Sequence, residues 1–203
     1  MSTPPRTVLT TTPNEEAAIR AAVRAAAGLL VAGPEHVAGL LALFLDPAVS
    51  DPIYDLPRPF TEASVAQWVA ESEALRLEGR CILSVTLDGQ GVVAGYSRIT
   101  VWPERASGEL AGARRADLQN SGSGRRGVAQ SIGWMFEGLG LRLIGLTAAL
   151  DNIRSAKAID GAGFVRMGEV ESVRPDGTVR RSLYWELTRE RWRSLIIDQT
   201  QPG

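Results

Sequence analysis

The spacing of apolar residues divides the chain into helices near its start and strands further on. A helix beginning near Asn14 carries Ile19, Val23 and Ala26 on one side, with acidic residues in its first turn. The pattern then predicts, in order, a short strand over 28–32, a helix over 33–46, a loop with four prolines over 46–60 and a helix from Thr61 onward.

From residue 80 the pattern becomes typical of strands. Residues 81–87 and 92–101 flank Asp88-Gly89-Gln90-Gly91, which predicts a hairpin, and a further strand is predicted over 109–119. After a glycine-rich segment, apolar residues at helical spacing predict an amphipathic helix. A strand over 141–150, a helix over 151–163, a strand from 164 and a closing hairpin follow. The order predicts a mixed α/β sheet.

Composition narrows the class of protein. The 203 residues carry a formal net charge of −1, so no overall field attracts nucleic acid. The chain has no apolar run of the roughly 20 residues that cross a bilayer, and its start lacks a secretory pattern, so we expect a cytoplasmic protein. Cys81 and His36 are the sole residues of their types, which excludes internal disulfides and a Cys/His zinc cluster; no metal is expected.

The segment SGSGRRGVAQ, residues 121–130, has the spacing G-x-G-x-x-G and admits three interpretations. A dinucleotide-binding turn fits the glycines, but the preceding RRADLQN is polar where such a fold needs a buried strand. A flexible polar loop is the second interpretation. The third is an anion site, which we favour because free amides at a helix start lie beside Arg125 and Arg126.

Two motifs in order resemble those of the GNAT superfamily of N-acetyltransferases. Residues 151–164, DNIRSAKAIDGAGF, are similar to its N-x-x-S/A…G-F segment, and residues 124–129 to the last places of its acyl-CoA motif R/Q-x-x-G-x-G/A, with Gly124 replacing Arg or Gln. Residues 33–47 and 187–192 resemble the branch that acetylates ribosomal-protein N-termini and small amines. The resemblance implies a mixed, mostly antiparallel central sheet flanked by helices. It divides the chain into an extension, 1–27, and one acetyltransferase-like domain, 28–203.

The resemblance also implies the ligands. Acetyl-CoA would be the co-substrate, an amine of a small molecule or peptide the acceptor, and a homodimer stays open. Backbone amides of the glycine segment would hold the pyrophosphate, and Asn152 the pantetheine arm. The implied cofactor-binding residues are Leu118, Gln119, Gly124, Arg125, Arg126, Gly127, Val128, Ala129, Asn152 and Ser155.

Direct attack of an amine on a thioester needs a base, and carboxylates near the glycine segment are candidates. Glu109 and Asp117 have the same parity on the predicted strand, so they would face one side. The alternative is that each is a solvent-facing carboxylate paired with Arg114 or Arg115. Ile159 stands where many members carry a tyrosine acid, which makes Ser155 a substitute candidate; Tyr96, Tyr184 and Glu186 are further candidates from neighbouring strands.

Three functions therefore remain open from the sequence. The first is an acyl-CoA-dependent N-acetyltransferase. The second is a catalytically degenerate GNAT domain that acts as an acyl-CoA-binding or interaction module, which the replacements at Gly124 and Ile159 favour. The third is an NAD(P)-binding oxidoreductase, which rests on the glycine spacing alone.

Overall fold

The computed structural model describes residues 3–118, 123–173 and 177–200, with the backbone alone at 123–126, 172–173 and 198–200. These residues form seven α-helices and six β-strands. The helices are Pro13–Ala25 (α1), Val37–Phe44 (α2), Pro47–Ser50 (α3), Glu62–Leu77 (α4), Ser123–Glu137 (α5), Ile153–Gly161 (α6) and Arg189–Thr200 (α7). The strands are Cys81–Leu87 (β1), Val93–Trp102 (β2), Ser107–Arg114 (β3), Leu143–Ala149 (β4), Val165–Val173 (β5) and Val179–Thr188 (β6).

The six strands form one sheet in the order β1-β2-β3-β4-β6-β5. Every neighbouring pair is antiparallel except β3 and β4, which run parallel. Short connections join β1 to β2 and β2 to β3, and α6 and β5 lie between the antiparallel neighbours β4 and β6. The parallel pair needs a crossover, and α5 provides it. The predicted mixed, mostly antiparallel sheet flanked by helices is confirmed.

The parallel pair is joined along only part of its length. Paired residues are Ser107 with Leu143, Gly108 with Ile144, and Glu109 with Gly145. Beyond this last pair β3 continues to residue 114 and β4 to residue 149 with no further pairing between them. The two strands therefore diverge toward their carboxyl ends and leave a gap, which we call the wedge.

Each face of the sheet has its own apolar core. On one face, α1, α5 and α6 pack against alternate residues of the strands, with Phe136, Ile144 and Trp185 fully buried. On the other, α2 and α4 cover β1 and β2, where Phe44, Trp68 and Tyr96 make edge-to-face contacts at 5.3–5.7 Å between ring centroids. The second core ends at β2 and β3, so this α4 face of β4 and β6 is left to polar residues.

The amino-terminal extension packs on the sheet as part of the first core. Ile19 and Val23 of α1 are buried, as their spacing predicts. The helix begins at Pro13, and the hydroxyl of Thr12 caps it by accepting the amide N–H of Glu15 at 3.2 Å. The predicted cap, Asn14, lies inside the first turn because proline is well suited to the first helical position.

Three sequence predictions are wrong in their boundaries. Residues 28–32 contribute a single bridge, Val31 to Ser84, where a strand was expected. The strand predicted over 109–119 ends at Arg114, and a 3-10 turn occupies residues 116–118. The helix expected after the glycine segment begins within it, because α5 starts at Ser123 and includes Gly124 and Gly127. Contacts with residues distant in the chain set these boundaries, and a local sequence pattern does not contain such contacts.

The stability of the protein should depend on side-chain packing at the short parallel junction, the three residue pairs that join β3 and β4. Ile144→Ala removes a fully buried side chain at its middle pair, and we expect the free energy of unfolding to fall by about 2–5 kcal/mol. Ile153→Ala is the control, because that side chain is 63% exposed and its loss should cost less than about 0.5 kcal/mol. Urea denaturation measures both, and equal losses would contradict the junction's importance.

Candidate functional site

Two helix N-termini lie at the open end of the wedge. The crossover brings the start of α5 to the carboxyl ends of β3 and β4, and α6 begins three residues after β4 ends. Each N-terminus presents unpaired amide N–H groups and the positive end of a helix dipole. An anionic ligand is therefore favoured at this edge of the sheet.

Gly127, in the second turn of α5, is not held to glycine by packing against any described neighbour. A Cβ placed there meets no atom of the described residues within 4 Å. Glycine inside a helix is roughly 0.5–1 kcal/mol less favourable than alanine, so the position leaves room for something other than the described protein. Val128 beside it is an exposed apolar side chain, and Ala129 follows in the same turn. Gln119 and the side chains of Arg125 and Arg126 lie outside the described residues.

Asn152 starts α6 and already uses one of its polar atoms. Its Oδ1 accepts the amide N–H of Ser155 at 3.1 Å, which makes it the N-cap. Its side-chain NH2 donates no hydrogen bond within the described part of the chain, so this is the group that can face a ligand. Ser155 is half-buried in the first turn. Ile159, which replaces the family's tyrosine, packs against the core.

A row of residues crosses the sheet where the wedge closes. Glu109, Gly145 and Glu186 are successive cross-strand neighbours on β3, β4 and β6. All three project to the α4 face, the face without helices at β4 and β6. Both carboxylates are buried, with Glu109 9% and Glu186 4% exposed. A buried carboxylate requires hydrogen-bond donors, and the two differ in what supplies them.

The donors to Glu186 come from Tyr184 and from the amino-terminal extension. Tyr184 donates its hydroxyl at 2.7 Å, and Thr7 donates both its amide N–H, at 3.1 Å, and its hydroxyl. Glu109 accepts the hydroxyl of Thr147 at 3.4 Å. Three donors hold Glu186 in place, which makes it a structural carboxylate. Glu109, at the apex of the wedge, is the better placed of the two to meet a ligand.

Tyr184 covers the middle of the row. Its hydroxyl oxygen is 2.9 Å from where a Cβ on Gly145 would lie, so a larger residue there would displace the ring. Burial raises the pKa of Tyr184, and the hydrogen bond to Glu186 and the charges of Glu186 and Glu109 raise it further. The phenol therefore stays protonated and is a poor acid for a leaving thiolate.

Asp117 lies apart from this row. It is in the 3-10 turn after β3, with 60% of its side chain exposed, and Arg115 binds both of its oxygens at 2.7 and 3.1 Å. The hydrogen bonds from Arg115 lower the pKa of Asp117, so its carboxylate is a weak base. Asp117 is thus the solvent-facing, arginine-paired carboxylate of the alternative prediction.

The predicted site residues consequently separate into groups. Glu109 is buried at the apex, and this contradicts the alternative of a solvent-facing residue. Gly145, paired with Glu109, is four residues before the end of β4, so Ser155 lies beyond a strand segment of roughly 13 Å. Leu118, half-buried, ends the 3-10 turn before α5. The structure does not bring Glu109, Asp117 and Ser155 together.

The proline-rich loop over 46–60 crosses the α4 face above the wedge. Arg180 of β6 donates to the carbonyl of Pro52 and lies 5.0 Å from the ring centroid of Tyr54. On the other side, Asp55 pairs with Arg98 of β2 at 3.6 Å. A cleft of about 650 Å³ opens under the loop, lined by Asp51, Pro52, Ala149, Leu150, Asp151, Asn152, Arg180 and Arg181. The loop therefore forms a roof over β3 and β4.

Sequence reasoning missed the arginines that hold this roof, and Thr7. Arg98 and Arg180 carry no motif, although each has the strand parity of the α4 face. Thr7 lies in a Thr/Pro-rich tail that resembles disordered sequence. Tyr184 and Glu186 could be found by alternation alone, since both are polar positions that alternate with the apolar residues at 183, 185 and 187.

Comparison with known proteins agrees with this geometry. The family model described as "Acetyltransferase (GNAT) domain" matches residues 29–165. The chain belongs to this family. The match includes the wedge, α5 and α6 and confirms the resemblance stated above, whereas α1, β6 and α7 lie outside it. No curated protein is significantly similar to the chain.

Solved structures of GNAT proteins share the fold. Ribosomal-protein-S5-alanine acetyltransferase from Vibrio fischeri is 19% identical, with a TM-score of 0.68 over 81% of this chain and 93% of its own. RimJ of Mycobacterium smegmatis, solved with CoA-disulfide, is 17% identical, with a TM-score of 0.67 over 83% and 87%. Mutant forms of the spermidine/spermine N-acetyltransferase SpeG from Vibrio cholerae are 16% identical, with a TM-score of 0.66 over 83% and 96%.

None of the helices within the described ranges is both long and apolar enough to span a membrane. The same residues hold no cluster of three or more His, Cys, Asp or Glu side chains suited to a metal ion.

Substitution can separate the capping role of the Asn152 side chain from its predicted role in CoA binding. Asn152→Asp keeps an oxygen that caps α6 but removes the amide donor, so stability should stay within about 0.5 kcal/mol while CoA affinity falls about tenfold. Asn152→Ala should lose the same affinity and about 1 kcal/mol of stability. Calorimetric titration with CoA and urea denaturation measure the two effects. Wild-type CoA affinity in Asn152→Asp would contradict the assignment.

Proposed function

We propose that the chain is an acyl-CoA-dependent N-acetyltransferase that transfers the acetyl group of acetyl-CoA to an amine of a small molecule or peptide. The observation that carries the proposal is the wedge between β3 and β4, which has helix N-termini at its open end and a buried glutamate at its apex. Residues 28–203 form the acetyltransferase unit in this proposal, the extension 1–27 packs against it, and the enzyme acts in the cytoplasm.

The wedge suits an elongated ligand with an anionic end. Amides at the start of α5, from Gly124 to Ala129, would hold the pyrophosphate, and the open space at Gly127 allows close approach. The NH2 of Asn152 would donate to the pantetheine arm. Beyond Glu109, the edge of β3 that faces β4 makes no strand pairing, so its backbone groups are available to an extended, amide-bearing ligand.

Glu109 is our candidate for the general base. The acceptor arrives as an ammonium ion, and its proton passes to the Glu109 carboxylate directly or through one water. The neutral nitrogen then attacks the carbonyl carbon of the thioester and gives up its second proton to water as the C–S bond breaks, and the leaving thiolate takes up one proton. Ser155 stays the candidate for that last transfer, with water as the bridge, because a strand segment of roughly 13 Å separates it from the Glu109–Gly145 pair. The neutral phenol of Tyr184 is a poor acid, and Ile159 has no proton to give.

A catalytically degenerate acyl-CoA-binding module is the second candidate. Its support is Ile159, which faces the apolar core where a tyrosine acid would face the ligand. Both candidate functions require binding of acyl-CoA, and only the acetyltransferase transfers the acetyl group and releases CoA. The oxidoreductase interpretation loses its support, because Gly124 and Gly127 lie within α5, and β3, the strand that precedes α5, is antiparallel to β2 and pairs with β4 over only three residue pairs.

Ligand-induced stabilisation tests the proposed function first. We expect acetyl-CoA and CoA to raise the melting temperature of the protein and NAD(P) to leave it unchanged. Gly127→Leu should abolish the CoA shift, because a side chain would fill the space beside the α5 amides, while the ligand-free protein melts as before. Turnover is then measured by CoA release across spermidine, an alanine-initiated peptide and simple primary amines.

The outcomes of this test are distinct. Stabilisation and CoA release together support the acetyltransferase. Stabilisation without release from any amine favours the degenerate module, and stabilisation by NAD(P) alone contradicts both.

The two candidate carboxylates predict opposite results when neutralised. Glu109→Gln should lower kcat by about 10²–10⁴, because a positioned base contributes on this order, and should leave CoA affinity unchanged. Asp117→Asn is the matched control, since Arg115 already binds that exposed carboxylate, and its kcat should stay within about twofold. Steady-state rates measure both. A larger loss in Asp117→Asn than in Glu109→Gln would reverse the assignment.

A further inference from the structure

The amino-terminal segment before α1, residues 5–12, crosses the sheet as an extended strap. It leaves α1 beside residue 104, where the hydroxyl of Thr11 donates to the carbonyl of Glu104 at 3.0 Å. Arg142, at the start of β4, donates to the carbonyl of Thr10. The strap then passes onto the α4 face and reaches β6 and β5. It lies outside residues 29–165, so the family model does not contain it.

Arg6 anchors the strap at an irregularity in β5. Its guanidinium donates to the carbonyls of Met167 and Glu169, on either side of Gly168. The pairing of β5 with β6 shifts register here, and Gly168 has a φ of +101°, which favours glycine. A Cβ at Gly168 would lie 3.4 Å from Arg6 Nη1. The bulge therefore presents two carbonyls to one arginine, and the docking of the strap is built into β5.

The next residue, Thr7, completes the hydrogen bonding of Glu186. Its amide and hydroxyl supply two of the three donors to the carboxylate, and Tyr184 supplies the third. The guanidinium of Arg6 lies 5.5 Å from the ring centroid of Tyr184. Arg6 and Thr7 together hold the Tyr184–Glu186 pair from the side opposite the sheet.

The pair in turn borders the apex of the wedge. The hydroxyl of Tyr184 lies against Gly145, which is paired with Glu109 on the neighbouring strand. A buried carboxylate that loses a donor must find another or move toward water, and its hydrogen-bonded neighbour moves with it. The position of the Tyr184 ring beside Glu109 thus depends on a contact made by the extension.

We propose that Arg6 and Thr7 are positioning residues for the acceptor amine, because they lock the Tyr184–Glu186 pair into the wall beside Glu109. The inference rests on the proposed function and adds to it that the extension is part of the acceptor site. An acceptor that reaches Glu109 from the α4 face contacts this wall. CoA, which would lie on the α5 side of the wedge, does not contact it.

Substitutions at one position of the strap test the inference. Thr7→Val keeps the shape and the amide N–H but removes the hydroxyl donor, and Thr7→Ser restores it. Thr10→Val is the matched control, because Thr10 is exposed and contributes only its carbonyl. Initial rates are measured with the amine that wild type acetylates in the panel above, and the KM of acetyl-CoA is measured in parallel.

We expect Thr7→Val to raise the KM of the amine about tenfold, with the KM of acetyl-CoA unchanged and kcat within about twofold. Thr7→Ser should return the KM to within about threefold of wild type, and Thr10→Val should match wild type. A purely structural role would lower the active fraction, and hence kcat, at constant KM.

Two results would overturn the inference and they differ from each other. If Thr7→Val has the amine KM of Thr10→Val, the strap does not position the acceptor, and the proposed function stands. If wild type releases no CoA with any amine of the panel, the proposed function fails and the inference fails with it.

Discussion

The site depends on a parallel pairing between β3 and β4 that is held for three residue pairs and then released. The pairing must exist, because it joins the two halves of the sheet over a shared core. It must also end early, because only diverging strands leave backbone groups free for an extended ligand. The crossover helix α5 and the following helix α6 then direct their N-termini to the same opening. The helix N-termini favour the anionic end of a ligand, and the diverging strands leave room for its extended part.

The two faces of the sheet differ in how much of their surface is apolar core. The helices α1, α5 and α6 pack on one face, and α2 and α4 cover only β1 and β2 on the other. Polar residues can therefore lie on β4 and β6 without interrupting a core. Position then distinguishes the two buried carboxylates of that region: Tyr184 and Thr7 donate hydrogen bonds to Glu186 on β6, whereas Glu109 occupies the apex of the wedge.

In the proposed function, segments outside the family-matched region form much of the acceptor side. The strap comes from the extension, and Tyr184, Glu186 and the roof-holding Arg180 come from β6. The matched region holds the features that would bind CoA, namely the wedge and the starts of α5 and α6. This separation has a simple physical reason. A single co-substrate needs a binding site of one shape, whereas the residues that contact the acceptor can come from other parts of the chain.

Local patterns in the sequence determined the elements whose stability is local. Helical spacing predicted α1, α4 and α5, the Asp88–Gly91 turn predicted the β1–β2 hairpin, and residues 151–164 identified the family. The pattern failed at residues 28–32 and after Arg114, where pairing with other strands sets the ends. Parity alone placed Glu109 and Asp117 on one side, yet only the tertiary structure buried the first and paired the second with Arg115. The sequence by itself determined the periodic elements and the motif. The tertiary structure decided the wedge, the row through Gly145 and the contact of Thr7 with Glu186, because these join residues far apart in the chain and no local spacing encodes them.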